Sequence, residues 1–115
     1  MTNDSLEENL HENSELVEVA MKIILHAGDA RLKSQTAIDK AKIKKFAESY
    51  ELLDAAQEDI VLAHKAQTDI IQSEMAGVYH GNSLLFTHAQ DTLMTIMSEI
   101  KLTLAIIELF EISVK

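Results

Sequence analysis

The chain has 115 residues, enough for one domain, and a formal net charge of −9, which argues against nucleic acid and anionic membranes as partners. It has no cysteine for a disulfide or a cysteine-based zinc site, and its apolar runs fall far short of the roughly 18 residues that a membrane span needs. The acidic, polar start is unlike a secretory signal, so we expect a cytoplasmic protein without direct membrane insertion.

An all-helical fold is expected because the chain has no proline, three glycines and a hydrophobic fraction of 47%. Residues 1–12 carry several carboxylates and little apolar surface, and we expect them to form a disordered acidic tail. Residues 13–115 are expected to form a single domain. Apolar residues at helical spacing predict its three helices over about 13–43, 46–76 and 83–112.

The first helix has an apolar stripe that starts at Leu16. Gly28 lies in its middle, where it either allows another helix to pack closely or marks a kink. Asp29 and Arg31 are charged positions on a helix that must pack, so each is either paired in an interface or solvated. These alternatives stay open at the level of the sequence.

The boundary between the first two helices is weakly marked. Residues 40–45 hold four lysines and neither glycine nor proline. A continuous helix of about 60 residues would span roughly 90 Å, which is too long for a lone globular domain, so we predict a turn near Lys44.

On the second helix His64 shares a face with Thr68; it is either a packed, hydrogen-bonded histidine or part of the wall of a site.

The third helix is predicted to follow a loop bracketed by Gly77 and Gly81, with Asn82 or Ser83 as its cap. Its C-terminal half is apolar around most of its circumference, so it must be buried on nearly all sides. Two other helices in so small a chain cannot cover it, and we expect it to lie at the interface of a cyclic oligomer. The residues expected to face that interface are Asp91, Met94, Thr95, Ser98, Leu102, Ala105 and Leu109.

One face of this helix carries an imidazole, a carboxylate and a hydroxyl, from His88, Asp91 and Thr92. An imidazole nitrogen with a free lone pair can attack phosphorus, although a packed histidine is the alternative. Thr92, Gln90 or His64 would then donate hydrogen bonds to the phosphoryl oxygens. If Asp91 faces a symmetry axis, the converging carboxylates either share protons or hold a hard divalent cation; otherwise Asp91 is simply solvent-exposed.

The segment that carries these residues, His88-Ala89-Gln90-Asp91-Thr92-Leu93-Met94-Thr95, resembles a family signature. The signature is His-Ala-Gln-Asp-His-Leu-Met-Thr, from the enzyme IIA proteins of the lactose/cellobiose (chitobiose) class of the bacterial phosphoenolpyruvate-dependent sugar phosphotransferase system. The match holds at seven of eight positions and fails at Thr92, where the family usually has a second histidine. Residues 27–31 and 63–68 resemble the family words Gly-x-Ala-Arg and Ala-His-x-x-Gln-Thr. Before Phe46 the family usually has Gly-Asp.

The resemblance implies an antiparallel three-helix bundle that assembles as a homotrimer, a cluster of nine helices. It implies that His88 accepts phosphate from the phosphohistidine carrier protein HPr. His88 would then pass it to a cysteine of the cognate enzyme IIB, which serves the membrane enzyme IIC. One Asp91 per subunit would meet at the trimer axis and bind a metal, with Mg²⁺ the expected ion. Thr92 leaves the nucleophile in place but removes a group that could protonate the phosphoryl group.

Two functions are therefore expected from the sequence. The first is a phosphotransferase component that works through phosphohistidine during uptake of cellobiose, chitobiose or lactose. The second is a non-catalytic oligomeric adaptor or regulatory relative of the same family, in which the acidic surface binds partners. The sugar itself is not written in this chain, because such a carrier need not contact sugar.

Overall fold

The computed structural model describes residues 3–114, with side chains described over 14–114. Within that range the chain forms three α-helices and no strand: α1 (Asn3–Lys42), α2 (Phe46–Met75) and α3 (Leu84–Ser113). α1 packs against both other helices. Successive helices run antiparallel, since Lys33 of α1 contacts Asp59 of α2 and Tyr50 near the start of α2 contacts Glu111 near the end of α3. The predicted all-α, three-helix fold is confirmed.

The main difference from prediction lies at the start of α1. The helix begins at Asn3 and not near residue 13. The intervening residues include no glycine or proline that would end a helix, and leucine and glutamate among them favour helical backbone. The helix therefore enters the segment predicted to be a disordered tail. The side chains of residues 1–13 lie outside the described residues, and the order of that segment in solution stays a prediction.

The turn between α1 and α2 lies where the length argument placed it. The N–H of Lys44 donates to the carbonyl of Ala41 and the N–H of Lys45 to that of Lys40, both at 2.9 Å. This pair of bonds is the Schellman pattern, which satisfies the last carbonyls of a helix. Lys44 is the residue that turns the chain, with φ of 62° in the left-handed region where glycine is usual.

The core joins buried aliphatic residues of all three helices, and alanines are frequent among those of α1 and α2. Leu93, Ile96 and Ile100 of α3 are fully buried. They pack against a layer rich in alanine, which lets helix backbones approach closely. The buried alanines are Ala20, Ala27, Ala30, Ala37, Ala41, Ala56, Ala63 and Ala89.

Polar links between helices fix how they sit against one another. Arg31 of α1 donates two hydrogen bonds of 2.9 Å to the carboxylate of Glu99 on α3. Both side chains are about half exposed, so the partner of Arg31 is this carboxylate on another helix and not Asp29. Gly28 is exposed, and a Cβ added there would meet no atom within 4 Å. Close packing within one chain therefore does not explain this glycine.

Candidate functional site

The site is built on the first turns of α3. Ser83 is the N-cap, in an extended conformation, and its hydroxyl accepts a hydrogen bond of 3.1 Å from the backbone N–H of Phe86. Phe86 and Ala89 are buried in the core and set the rotation of the helix. Because residues one or two positions apart on a helix point to different sides, this anchoring turns His88 outward. The imidazole is exposed.

His88 lies in an open depression of about 570 Å³ lined by residues of α3. We call this the His88 depression; it consists of Leu84, Leu85, Thr87, His88 and Asp91. The imidazole and the Asp91 carboxylate are thus neighbours, as their spacing predicted. The imidazole is the nucleophilic group of this otherwise apolar depression, and its exposure leaves it open to a chemical group carried by another protein.

Not every predicted site residue joins the His88 depression. Thr92 lies one turn after His88 and is half-buried. Gln90 is also half-buried, but positions two apart point to different sides of a helix, so its side chain does not share the face of His88. His64 lies in a separate groove between α2 and α3, beside Met97, with Nδ1 3.4 Å from the Thr68 hydroxyl. Within one chain, Gln90 and His64 are therefore separated from His88.

Three residues of the depression, Leu84, Leu85 and Thr87, were missed in the sequence. Leu84 precedes His88 by four residues and Thr87 precedes Asp91 by four, so helical spacing alone would have found both. The hydroxyl of Thr87 donates to the carbonyl of Ser83 at 3.2 Å. Leu84 is 87% exposed.

An exposed apolar stripe continues from the depression along α3. All seven residues predicted to face an oligomer interface are exposed in the single chain. Leu102 and Leu109 are 62% and 66% exposed, and Ile106 beside them is 60% exposed. Contiguous apolar surface of this kind marks a surface that another protein covers. The stripe and the His88 depression lie on the same helix and meet at Asp91.

The donor set at Asp91 fits a shared cation better than one held by a single chain. Across the described side chains of one chain, no group of three or more His, Cys, Asp or Glu residues could hold a metal ion. Asp91 is the carboxylate of the His88 depression and is exposed toward the apolar stripe. Copies of Asp91 from several chains would supply oxygen ligands, the type that Mg²⁺ prefers.

Comparisons with known proteins agree on one family. A family model described as "PTS system, Lactose/Cellobiose specific IIA subunit" matches residues 18–111. The chain is 38% identical to the lichenan-specific phosphotransferase enzyme IIA component of Bacillus subtilis, over 86% of this chain and 90% of that one. It is 36% identical to the lactose-specific EIIA component of Lacticaseibacillus casei, over 84% of this chain and 87% of that one.

A solved structure agrees in fold as well as in sequence. The cellobiose-specific enzyme IIA of Bacillus anthracis superposes with a TM-score of 0.78 and 37% identity, covering 82% of this chain and 86% of that one. Among the described residues, no helix is both long and apolar enough to cross a bilayer. The chain is a member of the lactose/cellobiose family of IIA subunits of the sugar phosphotransferase system.

Proposed function

We propose that this chain is a phosphoryl carrier that takes phosphate from phospho-HPr onto His88 and passes it to a cysteine of enzyme IIB. The observation that carries the proposal is the exposure of His88 in a depression at the start of α3, within the segment that resembles the family signature. A histidine held in the core could not meet the phosphorus of another protein. An exposed one on a rigid helix can, because phosphoryl transfer requires mainly positioning and charge stabilisation.

The transfer is a displacement at phosphorus. A lone pair on an imidazole nitrogen of His88 forms a new N–P bond while the N–P bond of the donor breaks, and the donor imidazole keeps the electron pair. The second transfer repeats the displacement: a thiolate of IIB forms an S–P bond and the His88 nitrogen leaves with its lone pair. Thr92, one turn after His88, carries the hydroxyl that we expect to donate to the phosphoryl oxygens, because the hydroxyl of Thr87 already donates to the carbonyl of Ser83.

We also propose a homotrimer in which three copies of α3 surround a common axis. The apolar stripe on α3, exposed in a single chain, supports this arrangement because cyclic packing would cover all three stripes at once. Asp91 from each chain would then face the axis and hold a divalent cation, for which Mg²⁺ is the expected ion. When bound, the cation neutralises carboxylates that would otherwise repel one another.

We propose that this subunit acts in the cytoplasm as part of a transport system that imports a β-disaccharide through a membrane enzyme IIC. The relatives above are specific for lichenan, lactose and cellobiose systems, and chitobiose is a further candidate. Thr92, in the position of the usual histidine, favours one alternative: a non-catalytic oligomeric adaptor or regulatory relative.

Intact mass spectrometry tests the proposal. After incubation with phosphoenolpyruvate, enzyme I and HPr, the wild type should gain one acid-labile phosphoryl group and His88→Ala none. His26→Ala is the matched control, because His26 is a half-buried histidine of α1 outside the His88 depression, and it should label like the wild type. A wild type that stays unlabelled would refute the carrier and support the adaptor.

A further inference from the structure

The loop between α2 and α3, residues 76–83, presents apolar side chains to solvent near His88. Val78 is 51% exposed and Tyr79 is 67% exposed. His88 lies four residues into α3, about 6 Å along the helix axis from Leu84. A standard interface of about 800 Å² per partner corresponds to a disc of about 16 Å radius, so the loop lies within reach of a protein that contacts His88.

The loop is pinned to the bundle by His80, which is buried although its two neighbours are not. The Nε2 atom of His80 lies 2.6 Å from the hydroxyl of Ser73 on α2, and its Nδ1 lies 3.9 Å from a carboxylate oxygen of Glu15 on α1. Gly77 and Gly81 turn the chain on either side, with φ of 98° and 85°. His80 thus hydrogen-bonds the loop to α2 and lies beside a carboxylate of α1.

A pinned loop is a favourable binding element because less conformational entropy is lost when a partner binds it. Tyrosine is enriched in protein interfaces because its ring offers a large contact area with few rotatable bonds. The chain has two tyrosines. Tyr50 donates a hydrogen bond of 2.9 Å to Glu111 and is half-buried, whereas Tyr79 extends into solvent.

The charge around the loop indicates the kind of partner. Residues 74–88 contain one acidic residue, Glu74, and neither lysine nor arginine. Glu74 lines the same surface depression as Val78 and Tyr79. A partner with an apolar patch bordered by lysine or arginine would complement this surface.

We propose that the α2–α3 loop is a docking segment for the protein that phosphorylates His88. Val78 and Tyr79 contact an apolar patch on that donor, and Glu74 faces its basic border. His80 is a positioning residue that holds the segment in its binding conformation. The inference rests on the proposed carrier function and assigns part of the donor's binding site to a loop outside the helix that carries His88.

Steady-state phosphorylation of the full chain at varied HPr concentration separates docking from chemistry. Tyr79→Ser should raise KM for HPr about tenfold and leave kcat within about twofold, because it removes binding and not the nucleophile. Ile43→Ser is the matched control: Ile43 is an aliphatic residue, 61% exposed, in the turn about 45 Å away along α2, and both constants should stay unchanged. With phosphoramidate, a small donor that needs no docking, Tyr79→Ser and wild type should react equally fast.

The positioning role of His80 has its own test. His80→Ala should raise KM for HPr although Val78 and Tyr79 are intact, and His80→Gln, whose amide can still reach Ser73, should restore it. Thermal melts of each variant show whether the bundle is folded. A His80→Ala variant that melts like the wild type and keeps its KM would overturn this role.

An unchanged KM for HPr in Tyr79→Ser would overturn the docking proposal itself. If the KM for the acceptor IIB rises in the same variant, the loop belongs to the binding site of the acceptor. If the wild type takes no phosphate at all, the carrier function fails separately, and calorimetric titration of HPr into wild type and Tyr79→Ser decides the docking proposal by the Kd alone.

Discussion

Replacing Lys44 by glycine should stabilise the protein. Lys44 holds the left-handed position of the Schellman pattern at the end of α1, with φ of 62°. An L-residue with a Cβ pays about 1–2 kcal/mol for this conformation. Glycine removes that strain but adds entropy to the unfolded chain, which costs about 0.4–1 kcal/mol. We expect a net gain of about 0.5–1 kcal/mol in the free energy of unfolding, or roughly 2–6 °C in Tm.

The charge of Lys44 must be separated from its backbone conformation, because Lys40, Lys42 and Lys45 lie close by. Lys44→Ala removes the charge and keeps the Cβ, so it reports relief of lysine repulsion alone. Urea unfolding followed by circular dichroism, at one fixed chain concentration, compares both variants with the wild type. The strain argument is wrong if Lys44→Gly is no more stable than Lys44→Ala.

Three further outcomes are expected. Leu102→Glu, which places a charge on the apolar stripe of α3, should dissociate the proposed trimer in sedimentation equilibrium. A molecular mass equal to that of the wild type would show that the stripe is not part of the subunit interface. Asp91→Leu should keep or tighten assembly while abolishing cation binding measured by metal analysis; single chains would contradict the axial position of Asp91. Burial and the hydrogen bond to Glu111 raise the pKa of Tyr50, so its stabilising effect is present below the unfolded-state pKa near about 10 and is lost as pH rises through the higher folded-state value. Tyr50→Phe should therefore lose less stability than the wild type in alkaline urea titrations.

The fold followed from the sequence where local signals and burial agreed. Gly77 and Gly81 both adopt positive φ, which explains why they marked the loop correctly. The turn at Lys44 carries no such signal, because a lysine there adopts a conformation that composition does not reveal. It was placed by asking how long a helix a small domain can contain and by the Gly-Asp that the family usually has before Phe46. The start of α1 was missed because acidic composition suggests a tail while helix propensity continues through it.

The sequence predicted the site only in part, because spacing shows which residues of one helix are neighbours but not which residues of two helices meet. Spacing along one helix placed His88 and Asp91 together, since that relation depends on helix geometry alone. It could not bring His64 to His88, because that would require knowing how α2 and α3 face each other. His80 was missed altogether: its role depends on Ser73 and Glu15, which belong to two other elements. Relations between elements are what a single sequence leaves open.

Helix α3 presents the core face, the imidazole of His88 and the apolar stripe at fixed angles around a single helix axis. Inserting or deleting one residue between Ala89 and Leu93 would rotate everything before it by about 100° relative to everything after it. His88 would then no longer lie beside the apolar stripe, and Phe86 would no longer face the core. A change in the length of this segment therefore disrupts the core, the His88 depression and the apolar stripe together.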